Sequence, residues 1–82
     1  MDAYTKHRVR KFIDNYDWSA AEDKARDELY AALSAGNEYD LPHNTLSPGT
    51  DAENTAQAEE YAYELAKSWF DAAVYDIEMD GI

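Results

Sequence analysis

The sequence predicts an all-α fold, a small three-helix bundle with a long loop between its second and third helices. Two Ser/Thr-x-x-Glu helix starts and a stretch without Gly or Pro from Thr50 to Asp80 predict it. No alternation of the kind a strand requires, no repeat and no composition break interrupts the chain, so residues 1–82 read as one domain.

The first helix is expected over residues 2–15, with Tyr4, Val9, Phe12, Ile13 and Tyr16 as candidate buried positions at loosely helical spacing. The second is expected over residues 20–35. Ser19 and Glu22 fit a capping box, in which hydroxyl and carboxylate satisfy free backbone N–H groups reciprocally, and Trp18 stands where a hydrophobic staple would. Ala21, Ala25, Leu29 and Leu33 repeat at helical spacing beside Tyr30, and Gly36 falls where a left-handed C-terminal residue is wanted.

Residues 36–50 hold both prolines and two of the three glycines, which marks a loop. It is long for a compact domain, so Tyr39, Leu41 and Leu46 are expected to tack it onto the helices, with room for a short helical turn. Thr50 and Glu53 form the second capping box and open a helix expected over residues 51–79. Ala58, Tyr61, Ala62, Leu65, Trp69, Ala72 and Ala73 step by three and four, defining its core-facing stripe.

Composition bounds the function. Eighteen acidic residues against seven Lys plus Arg give a formal charge of −11. Self-repulsion of that size opposes compaction, so salt is expected to stabilise the fold. The negative field disfavours nucleic acid or an anionic membrane as direct partner and favours proteins with basic surfaces. With no cysteine, disulfides, thiolate metal sites and cysteine nucleophiles are excluded. No apolar run of signal-peptide or membrane-spanning length occurs, and a cytoplasmic location is expected.

The charge is unevenly placed. Through Arg26 the chain carries six Lys or Arg and five acids; from Asp27 onward it carries one Lys and thirteen acids. On a wheel at about 100° per residue, Glu53, Glu60, Glu64, Asp71 and Glu78 fall within a band roughly 40° wide, away from the Leu65/Trp69 stripe. At about 1.5 Å per residue the row spans roughly 38 Å, close to one turn of duplex DNA. Such a row could occupy a basic groove built for nucleic acid. Lys67 interrupts it, placed to relieve repulsion between Glu64 and Asp71. The alternative is that these acids are simply the solvated face of an amphipathic helix.

A small, acidic, cysteine-free helical chain with this row resembles, in type, the anti-defence proteins of bacteriophages, among them anti-CRISPR and anti-restriction DNA mimics. The resemblance implies an inhibitor that plugs the basic DNA-binding channel of a nuclease or CRISPR effector inside a bacterial cell. The partner-binding residues so expected are Glu53, Glu60, Glu64, Asp71, Asp76, Glu78 and Asp80, with Tyr63 and Tyr75 as interface anchors. A helical interaction or regulatory module, adaptor or homodimer, using exposed aromatics is the second reading.

Other constellations carry less. Lys6, His7, Arg8, Arg10 and Lys11 form a basic cluster, best read as internal neutralisation of the acidic remainder. Asp76, Glu78, Asp80 and Gly81 follow the opening of a calcium loop, but no closing glutamate follows, and these acids are expected to extend the negative face of the third helix or to form a flexible acidic tail. His7 and His43 lie in no metal-ligand spacing, and His43, Asp40 and Ser47 share one turn-rich loop without a scaffold. Neither enzyme activity nor a cofactor or metal is expected.

Overall fold

A computed structural model describes residues 2–81; Met1 and Ile82, the ends of the expected domain, lie outside the described residues. Three helices are present, α1 (Ala3–Asn15), α2 (Trp18–Ser34) and α3 (Asp51–Asp80). Between α2 and α3 lie two short strands, β1 (Tyr39–Asp40) and β2 (Thr45–Leu46). The fold is all-α in outline. The loop is long as expected, but it holds an antiparallel hairpin, Tyr39 opposite Leu46 and Asp40 opposite Thr45, where a helical turn had room to form.

The helices do not surround a common core. At about 1.5 Å per residue the thirty residues of α3 reach about 45 Å, most of the 49 Å length of the molecule. Tyr16 reaches Ala66 and Thr5 touches Gly81, so α1 runs antiparallel along the C-terminal half of α3. Trp18 packs on Phe70 and stacks on Tyr63 while Tyr30 bonds Asp51, so α2 runs antiparallel along its N-terminal half. The two shorter helices thus lie end to end on one spine. The radius of gyration, 15.4 Å, exceeds the roughly 12 Å of a compact chain of this length.

The fully buried apolar core sits at the α2 end. Ala25, Leu29 and Leu33 of α2 meet Ala58, Ala62, Leu65 and Ala66 of α3, and Leu41 and Leu46 close the end from the hairpin. The alanines let the two backbones approach closely, and Trp18, Ala21, Tyr39, Tyr61 and Trp69 pack around them. Asn54, also buried, accepts from the Gly49 N–H at 2.8 Å and donates to the Gly49 carbonyl at 3.3 Å, clamping the loop to α3.

Several expected positions shift. Asp17, not Ser19, caps α2, accepting from the Ala20 N–H at 3.0 Å, so the helix begins two residues early. This start makes Trp18 the first helical residue, within an aromatic cluster with Tyr16, Tyr63 and Phe70, and puts a carboxylate at the positive end of the helix. At Gly36 the expectation holds: φ is +85°, its N–H bonds the Leu33 carbonyl, and the Asn37 N–H bonds that of Ala32. Both halves of the Thr50–Glu53 capping box form as well.

Three candidate core residues are exposed: Tyr4, Ile13 and Ala72. Ala72 lies on the stripe that α2 covers further down, and α2 ends before reaching it. From Phe70 onward α3 turns a different face to its neighbour. Phe70 packs against Phe12 of α1 and Tyr16 at its end, and Ile77 lines an open groove with them, about a quarter turn from the Leu65 stripe.

Candidate acidic interface

Because α3 is unbroken, Glu53, Glu60, Glu64, Asp71 and Glu78 share one side of it. Within that row the local chemistry differs. Glu53 accepts from the Thr50 N–H at 3.0 Å, and this bond holds its carboxyl below the usual glutamate value. Glu60 is exposed, whereas Glu64 is half-buried and accepts a long 3.4 Å hydrogen bond from Asn44 of the hairpin turn. Asp71 accepts from Lys67 at 2.9 Å, which raises the lysine above its ordinary value; the interruption seen in the sequence is thus a neutralised pair. Glu78 is half-buried.

Asp76 and Asp80 do not extend the row. By helical geometry Asp76 projects about 140° from the centre of the row, in line with Leu65 and Trp69. It is exposed because α2 does not cover this part of the stripe. Asp80 lies 3.8 Å from Arg8, an exposed ion pair that brings the basic cluster of α1 to the acidic end of α3.

The two expected anchors separate. Tyr75 is 60% exposed at one border of the acidic band, and Tyr63, 54% exposed, lies beyond the other and stacks on Trp18 at 5.6 Å. Met79 and Ile13, unmarked as surface residues in the sequence, are each nearly half exposed. An open groove of about 340 Å³ on α1 is lined by Lys6, Val9, Arg10, Ile13 and Asp14. The signal for the α1-facing surface was available, since Phe70, Val74 and Ile77 repeat at helical spacing where the first stripe fades.

His7 and His43 are exposed on separate elements, and the Asp40 carboxylate accepts from Thr45 at 3.0 Å within the hairpin. Among the described residues no group of three or more His, Cys, Asp or Glu side chains is placed to hold a metal ion, and no helix is long and apolar enough to cross a membrane. No family model, curated protein or solved structure matches the chain.

Proposed function

We propose that this chain is an acidic inhibitor that occupies the basic nucleic-acid site of a nuclease, CRISPR effector or other DNA-handling protein inside a bacterial cell, imitating the phosphate backbone. The observation that carries the reading is the single continuous helix α3, which distributes Glu53, Glu60, Glu64, Asp71 and Glu78 along one side of an elongated molecule. A rod about two helices thick, 22 by 17 Å in cross-section, is close to the width of a nucleic-acid duplex. Inhibition is steric, with no chemical step, cofactor or metal. Tyr75 borders the row and supplies an apolar anchor.

The second reading, an interaction module docking through aromatics, is favoured by the exposure of Tyr63, Tyr75 and Met79. Salt separates the two, because a charge-driven complex weakens steeply with ionic strength and an apolar one does not.

The test is capture from bacterial lysate with the tagged protein at low and high salt, with duplex DNA as competitor, beside a variant carrying Glu60→Lys, Glu64→Lys and Asp71→Lys. The expected result is a DNA-binding protein released by salt or DNA and not captured by the variant. Equal capture by a folded variant overturns the reading.

A further inference from the structure

We propose that α1 is a cationic latch that opens independently of the α2–α3 core and, while closed, sets its cations beside carboxylates at the C-terminal end of α3, a cover made by charge and not by burial. The first part stands on packing and charge alone; the second rests on the acidic-interface reading.

Packing separates α1 from the rest. The fully buried apolar residues belong to α2, the hairpin and α3, and the one residue α1 buries completely is Thr5. The other contacts of α1 are between half-buried or exposed side chains: Phe12 and Tyr16 against Phe70 at 5.5 and 4.9 Å, Tyr16 edge-on to Trp18 at 4.7 Å, the Tyr16 hydroxyl donating to the Ala66 carbonyl at 3.2 Å, and Arg8 beside Asp80. An element with few buried apolar contacts opens at a fraction of the global unfolding free energy. Its connection to α2 is suited to this motion. Tyr16 and Asp17 are both extended, with ψ of 124° and 92°; the Tyr16 N–H bonds back into α1 and the Asp17 carboxylate forward into α2, so rotation between the two residues keeps both caps.

Charge holds the latch closed. Residues 1–15 carry Lys6, Arg8, Arg10 and Lys11 against Asp2 and Asp14, whereas the rest of the chain carries three Lys or Arg against sixteen acids. Arg8 meets Asp80 directly, and Glu78 is half-buried at the same end. Salt therefore acts on the two parts with opposite sign. It screens the attraction that closes α1, and it relieves the repulsion within the acidic remainder.

Hydrogen exchange on the full chain, from about 20 mM to about 0.5 M NaCl, tests the latch. The expected result is that α1 amides exchange roughly tenfold or more faster than those of the α2–α3 core, and that salt speeds α1 while slowing the core. Uniform exchange, or the same salt response in both, overturns it. For the cover, Phe12→Ala loosens α1 without changing charge and is expected to raise affinity for an oligolysine peptide several-fold, with core exchange intact. Unchanged affinity in that variant overturns the cover and leaves the latch to the exchange result. An oligolysine that binds neither protein overturns the acidic-interface reading, again without touching the exchange result.

Discussion

Gly81, which ends α3, lies directly against the side chain of Thr5 in the first turn of α1. A β-carbon at position 81 would stand 2.9 Å from both Cβ and Cγ2 of Thr5, closer than such carbons pack. Thr5 is 1% exposed, so its side chain has no free space to swing into. Gly81→Ala is therefore expected to push α1 away from α3, raising exchange of α1 amides while the midpoint of core unfolding stays put. A wild-type exchange pattern in this variant would show that the two helix ends are not in contact.

The caps give a second test, one that discriminates between two neighbouring residues. Asp17 accepts from the Ala20 N–H, so Asp17→Ala is expected to cost about 1 kcal/mol and Ser19→Ala close to nothing, read from urea unfolding. Had Ser19 been the cap, the order would reverse. At the start of α3, Thr50→Ala is expected to cost a similar amount while the Glu53 carboxyl stays below its ordinary value, because the backbone N–H of residue 50 still donates to it, measured by NMR titration. The sign follows from linkage. A depressed folded value means the stabilisation from Glu53 is present above the unfolded pKa and is lost as pH falls through the folded one.

These residues also show how much of the fold could be read in advance. The helices, the Gly36 terminus and the Thr50–Glu53 box depend on local chemistry, and local chemistry is written in consecutive residues. The start of α2 falls two residues before the Ser19 box because Asp17 is an equally good cap, and long-range contacts of Trp18 with Tyr63 and Phe70 favour the earlier start. The end-to-end arrangement of α1 and α2 was harder still. It required noticing that α3 carries two apolar stripes in succession, one through Leu65 and one through Phe70 and Ile77, rather than a single stripe reaching Ala72. The acidic row was legible because a regular helix transmits spacing directly into position. The pairing of Arg8 with Asp80 was not, since it depends on which end of α3 the first helix lies beside.

Asn54 carries a third prediction. Its buried amide satisfies both backbone groups of Gly49, and Gln57 reaches the Ser47 carbonyl at 3.0 Å from the next turn. Asn54→Ala leaves those Gly49 groups unpaired and is expected to cost about 1 to 3 kcal/mol in chemical denaturation. Asn54→Asp keeps the acceptor for the Gly49 N–H but turns a carboxylate oxygen toward the Gly49 carbonyl, so it should also destabilise. Gln57→Ala, on an exposed bond, should cost less than either. Equal effects at 54 and 57 would mean that burial of the Asn54 clamp contributes nothing.

The last prediction concerns alkaline pH. The Tyr39 hydroxyl donates to Glu28 at 2.8 Å, and burial on the hairpin together with this carboxylate pushes its pKa up to about 12. An unfolded tyrosine ionises near pH 10, so the folded value is the higher one. Stability contributed by protonated Tyr39 is accordingly complete below about pH 10 and is lost as pH rises toward 12. Ionisation there would set a phenolate against the Glu28 carboxylate in a chain already at −11, releasing the hairpin from α2. Tyr39→Phe keeps the ring against the core and removes the ionisable group. The variant is expected to melt close to wild type at pH 7 and to lose less stability between pH 10 and 12, with the corresponding late step missing from the tyrosinate absorbance titration. An identical alkaline decline in both proteins would place the pH-sensitive contact elsewhere.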